Sequence, residues 1–180
     1  MIDWKFVSEA ISFYEDQGYK YIEVPWLVDV QAVYATCPSD KTPIQAYHPG
    51  LNLGYLVGSA EQSFIQMMLD SQLPPGQYCA ATPCFRDDQL DQYHQRHFFK
   101  VELIQIKPTS PDISDIIYTA RQFMERYSPS ELQVINTKDG QDLYCNGIEV
   151  GSYGYRQYLQ HEWIYGTGIA LPRFSQAICI

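Results

Sequence analysis

Two runs with strand character, 78–86 and 97–106, flank a polar, turn-tolerant segment, and this arrangement constrains the chain more than any other feature of its sequence. The layout is that of an antiparallel hairpin with a long loop. Side chains two apart on a strand share a face, so Arg86 and Asp88 point together. On the return run Phe98, Lys100 and Glu102 share one face, while Phe99, Val101 and Leu103 share the other. One face is apolar and belongs to a core. The other gathers a guanidinium, carboxylates and an aromatic ring. That set suits a nucleotide, with cations for phosphates, a ring for a base and carboxylates for magnesium.

A chain of 180 residues, 46% hydrophobic and 18% charged, has enough apolar material for a sizeable core. One domain over 1–180 is expected. It contains no run of about 18 apolar residues to span a membrane. The opening MIDWKFVSEA lacks the charged-then-apolar pattern of a signal peptide, so a cytoplasmic protein is expected. Cysteines 37, 79, 84, 145 and 179 form no CxxC pair and read as reduced core residues. The net charge of -9, with only twelve Lys and Arg, argues against a large nucleic-acid footprint on this chain alone. A local basic patch remains compatible with it.

Elsewhere the pattern is mixed. Asp3 is a candidate N-cap for a helix over 3–19 with Trp4, Val7, Ile11 and Tyr14 on its stripe, ended by Gly18. Residues 19–30 read as extended, and Pro25 favours a sheet edge. Three prolines and little periodicity make 31–51 a loop or flap over a site. A short strand at 55–59 leads to a helix over 60–71, for which Ser59 is a cap and Glu61 favours the dipole. Ser110 and Pro111 open a core-facing helix over 109–127. Strands at 131–136 and 142–146 follow, joined by a loop in which Gly140 supplies positive φ.

Phe-Arg-x-acid at 85–88, an aromatic at Phe98 and the acid Glu102 together resemble motif 2 of class II aminoacyl-tRNA synthetases. The helix leading to Gly18-Tyr19 and the run to Pro25 resemble motif 1. Residues 142–156 are similar to the Asp-Leu-x-x-Asn-Gly-x-Glu segment of the aspartyl and asparaginyl enzymes, and 166–173 resembles motif 3. The nearest likeness is to the aspartyl, asparaginyl and lysyl subgroup, in the form of a free-standing minimal core. There are departures: Asp88 stands where Glu is usual, His97 where Glu precedes the stacking ring, and Ala170 where a third Gly is usual. Phe64 falls near a substrate-reading Lys of aspartyl enzymes, which argues against aspartate.

The resemblance implies an α+β fold, an antiparallel sheet of about six strands with flanking helices, without an anticodon-binding domain. It implies ATP and Mg²⁺ as co-reactants. Arg86 would hold the α-phosphate, with Asp88 nearby, and His94 would reach the outer phosphates. Phe98 would stack on adenine, and Arg173 would cover its other face. Asp142 and Glu149 would ligate magnesium, and Glu61, Arg156 and Glu102 would bind the acid. Glu61 would receive an α-ammonium, and Arg156 a carboxylate. The glycines of 166–168 would let backbone approach the nucleotide. Asp142 and Glu149 are an odd number apart, so a bulge near Asn146-Gly147 is needed to put both on one face.

The expected activity is ATP-dependent formation of an acyl-adenylate from an amino acid or related carboxylate, then transfer to an acceptor other than tRNA. A minimal tRNA ligase acting with a partner is the alternative, and a catalytically silent amino-acid sensor is a third. A homodimer through the first helix and the Pro25 strand is expected.

Overall fold

In the computed structural model, residues 2–88, 91 and 95–179 are described. The first helix, α1 (Trp4–Asp16), starts where Asp3 accepts hydrogen bonds from the amides of Lys5 and Phe6 at 3.0 and 3.4 Å. It buries Val7, Ala10, Phe13 and Tyr14. Trp4 is 62% exposed, so the buried stripe is turned away from it.

Next come β1 (Lys20–Tyr21), β2 (Leu27–Val28), α2 (Val30–Tyr34), β3 (Gln45–His48), β4 (Leu51–Leu56) and α3 (Ala60–Leu69). The hairpin follows as β5 (Gly76–Phe85) and β6 (His97–Ile106), then α4 (Ser114–Glu125). The chain closes with β7 (Gln133–Asn136), β8 (Gln141–Cys145), β9 (Ile148–Tyr158), β10 (His161–Leu171) and α5 (Arg173–Ala177).

Seven strands form one sheet in the order β1-β5-β6-β10-β9-β8-β7, and β2-β4-β3 form a second. All pairs in the large sheet are antiparallel except β1 with β5. The α+β architecture is as expected, but the flap is more ordered than its prolines suggest. Part of 31–51 forms α2 and β3, and β3 turns back onto β4 through Gly50, whose φ is +80°. The helix expected from Ser110 begins four residues later. Ser110 Oγ accepts from the Asp112 amide, and the Asp112 carboxylate accepts from the Ser114 amide, two local turns that compete with helix.

The large sheet has two unlike faces. On one, α1, α4 and α5 pack over Phe99, Val101, Leu103, Leu143, Ile164 and Ile169. Each buried side chain of this size contributes about 1.5–3 kcal/mol by leaving water. On the other, α2 and α3 cover Tyr78, Ala80, Ile104, Ile106 and Trp163. Lys100, Glu102 and Thr167 lie buried on this second face.

Bulges in β9 and β10 set which side chains reach it. The β8–β9 register shifts between Leu143 and Tyr144, so Val150 has no opposite residue and both Val150 and Gly151 turn to the core. Glu149 and Ser152 therefore share the second face, and Asp142, paired with Ser152, shares it too. The expected bulge exists, but in β9; Asn146-Gly147 is a tight turn with φ of +50° and +77°. In β10 the shift at Gly168 takes carbonyls off the ladder. Tyr153 Oη donates to the Thr167 carbonyl at 2.7 Å and Tyr14 Oη to the Gly168 carbonyl at 2.8 Å. A Cβ at Gly166 would meet Tyr153 and Ile116, and one at Gly168 would meet Tyr14. These glycines admit core side chains, which corrects the expectation that they make room for a nucleotide.

Candidate functional site

Strand alternation on the second face, the start of α3 and the segment 36–43 enclose a cavity of about 310 Å³. The flap expectation holds here, since Thr36, Cys37, Pro38, Lys41, Thr42 and Pro43 line one side. Gln62 Nε2 donates to the Val33 carbonyl, which ties α2 to α3 beneath that wall.

The outer end is built on the hairpin. Arg86 Nε donates to the Gly58 carbonyl at 2.9 Å, and its guanidinium lies 5.2 Å from the centroid of the Phe98 ring. Asp88 pairs with Lys41 at 2.7 Å, linking the flap to the hairpin. Across the cavity Arg173, the first residue of α5, stands 3.5 Å from Glu149. Both line the cavity.

The inner end is buried. Glu102 Oε1 accepts from Lys100 Nζ at 2.5 Å and from Ser59 Oγ at 3.1 Å, and Oε2 accepts from the Ala60 amide. A carboxylate thus meets the positive N-terminus of α3. Ser59 Oγ in turn accepts from the Glu61 amide at 3.1 Å, the cap its position implied. Glu61 Oε2 accepts from Arg156 Nη1 and Oε1 from Trp163 Nε1, both at 2.6 Å. Burial pushes the Glu61 carboxyl up from its ordinary value, against Arg156 and Trp163, which favour its charge. Burial opposes the charge of Arg156, but Glu61, Tyr165 and Asp139 together outweigh it and the guanidinium shifts upward. Its plane lies 4.2 Å from the centroid of the Tyr165 ring.

The structure brings Arg86, Asp88, Phe98, Glu149, Arg173, Glu61, Arg156 and Glu102 to this one cavity. Asp142 is on the same sheet face but is not part of the lining. His94 lies outside the described residues. Among the described residues no group of three or more His, Cys, Asp or Glu forms a ready-made metal site. No motif gives a role to Lys100, Lys41, Trp163 or Tyr165. Lys100 was the most accessible of these, because it alternates between Phe98 and Glu102 on the same face.

The family model of the tRNA synthetases class II core domain (F) matches residues 58–178. Serine–tRNA ligase of Dichelobacter nodosus (strain VCS1703A) is 29% identical over 167 residues, covering 86% of this chain and 38% of that protein. Serine–tRNA ligase of Methylacidiphilum infernorum (isolate V4) is also 29% identical, over 171 residues, covering 81% and 39%. The chain thus spans under two-fifths of the length of these curated relatives. Among solved structures, seryl-tRNA synthetase from Pyrococcus horikoshii complexed with ATP aligns with a TM-score of 0.75 at 16% identity, covering 98% of this chain and 50% of that one. Cytoplasmic serine-tRNA ligase from Naegleria fowleri in complex with AMP aligns at 0.74 and 18%, covering 95% and 46%. At these identities the likeness is one of fold. These curated relatives are seryl enzymes, so a likeness to the aspartyl, asparaginyl and lysyl subgroup that the motifs suggested is not supported, and a seryl likeness fits better.

Proposed function

This chain belongs to the family of class II tRNA synthetase core domains, and from that premise we propose that it activates an amino acid or related carboxylate with ATP. A carboxylate oxygen of the acid attacks the α-phosphorus, the bond to the leaving phosphate breaks, and an acyl-adenylate and pyrophosphate result. Orientation and charge neutralisation carry such a reaction, with no protein base required.

One observation carries this reading. Five cations and five carboxylates line the cavity, and four of each are joined as Lys41–Asp88, Lys100–Glu102, Arg156–Glu61 and Arg173–Glu149. Among the described residues Arg86 is the lining cation with no carboxylate partner, and it sits beside Phe98 at the open end. An unneutralised guanidinium next to an aromatic ring is a receptor for a phosphate next to a base. In this reading Arg86 neutralises the α-phosphate, Phe98 stacks on adenine, Arg173 attends the outer phosphates, and Asp88 holds Lys41 at the same end. Glu61, Arg156 and Glu102 shape the acid end.

Magnesium fits as a passenger of the phosphates, since such an ion needs only one or two protein carboxylates. Glu149 is at the cavity to offer one, and Asp142 stands on the same face one strand away. When bound, the ion neutralises phosphate charge.

The acceptor has two readings. The charge of -9 supports a non-tRNA acceptor. The names of the relatives, serine–tRNA ligases longer than this chain, support a tRNA acceptor reached with a partner or a further segment. A homodimer is also part of the proposal, supported by Trp26 at 54% and Tyr47 at 82% exposure around the small sheet.

The test is ATP–pyrophosphate exchange with magnesium and single acids, with and without tRNA. Stimulation by one acid supports adenylation. ATP binding without exchange under any of these conditions overturns it.

A further inference from the structure

The four ion pairs of the cavity differ in how easily they part. The side chains of Lys100 and Glu102 are only 11% and 8% accessible, and Arg156 is fixed to a Glu61 that is also 8% accessible. Parting such pairs strands a charge away from water. Lys41 is the most accessible of the four paired cations, at 47%, and its partner Asp88 is 17% accessible. An ion pair that water reaches gains little from its partner and exchanges it readily.

Lys41 lies within a segment anchored at both ends. The Cys37 amide donates to the Val33 carbonyl of α2 at 3.0 Å, and the Leu56 amide of β4 donates to the Ile44 carbonyl at 2.9 Å. Between these anchors the Lys41 amide donates to the Pro38 carbonyl at 3.0 Å and closes a turn. Asp88 follows Arg86 by two residues, so its hold on Lys41 brings a second cation to the mouth where that guanidinium stands. Asp88 raises the Lys41 ammonium from its ordinary value, by its hydrogen bond and then by its charge, while Arg86 acts in the opposite direction. The two cations therefore repel each other at one mouth, and a polyanion bound there relieves that repulsion. A chain of phosphates carries more charge than one carboxylate and offers an ammonium more acceptors.

Resting on the adenylation reading, we propose that Lys41 is a further phosphate-binding residue of this site: Asp88 holds its ammonium until the phosphates of ATP take it over, which draws the segment 36–43 onto the nucleotide.

The test measures ATP and adenosine affinities by calorimetry on the full chain, with magnesium and no acid. Lys41→Met should weaken ATP about tenfold, the scale of one charge-assisted hydrogen bond at an accessible site, and leave adenosine unchanged. Lys41→Arg keeps the cation and should restore most of the ATP affinity. Asp88→Asn separates this role from a structural one, since it parts the same pair but leaves the ammonium to the phosphates, so ATP affinity should rise. If the pair merely held the flap in place, Lys41→Met and Asp88→Asn would weaken ATP alike, and that result overturns the proposal. So does an ATP affinity unmoved by Lys41→Met, or an equal loss for ATP and adenosine. The expected dependence of ATP binding on Lys41, in a wild type that shows no pyrophosphate exchange with any acid, would remove the adenylation reading and leave this one standing. Wild-type levels of exchange and of ATP binding in Lys41→Met would do the reverse.

Discussion

The two ends of the cavity are built on different principles. At the outer end Arg86 is exposed and has no carboxylate partner among the described residues. At the inner end Lys100, Glu102 and Glu61 are buried and every charge has a partner within 2.6 Å. An end with unspent charge can receive a highly charged ligand that many related proteins share. An end whose charges are satisfied discriminates by shape and by the edges left over. Breaking each end should therefore have a different signature, stability at the inner end and turnover at the outer.

The largest effect is expected from Glu102→Ala. It strands the buried Lys100 ammonium and the donors of Ser59 and Ala60, so a loss of about 3–5 kcal/mol is expected by urea unfolding. A loss well under 1 kcal/mol would show that the inner end is not a structural unit. Arg86→Ala should leave unfolding nearly unchanged and lower acid-dependent pyrophosphate exchange by about 10²–10³-fold. Equal damage to stability and exchange would erase the contrast between the ends.

Phe98→Ala should weaken ATP binding by about 1–3 kcal/mol, the usual worth of a base stacked on an aromatic ring, as read by calorimetry. The smallest effect concerns thiols. Burial pushes Cys79 and Cys84 up to about 12, and Cys145 is buried, so these three should resist a thiol-reactive disulfide reagent at neutral pH. Cys37 and the exposed Cys179 should react. Cys37 is itself raised, first by burial and then by Asp40, so less thiolate exists at a given pH and its reaction should quicken as pH rises. Because Cys37 lines the cavity, ATP should slow its modification and leave Cys179 unaffected.

The outer end was legible in the sequence because it is made locally. Arg86 and Phe98 belong to one hairpin, and a period of two decides which side chains face together. The inner end was not legible in its contacts. Glu61 and Arg156 are 95 residues apart, Glu61 and Trp163 are 102, and no pattern announces that they meet. The glycines of 166–168 were misread for a related reason. Their need for space was plain, but whether the neighbour would be a ligand or Tyr14 and Tyr153 depended on packing. The elements α2 and β3 were not legible because five and four residues are too few to show a periodicity.

Alternating residues in 97–106 determined by themselves that one side of the strand would be core and the other would carry Phe98, Lys100 and Glu102. A shared face for Asp142 and Glu149, which the resemblance implies, likewise required an extra residue between them. Only the tertiary structure decided that Val150 would be that residue, that Glu102 would receive the start of α3, and that Arg156 would neutralise Glu61. Which side chains share a face follows from local backbone geometry. Which charges become partners follows from burial, because an ion removed from water must be paired by whatever group the fold carries to it.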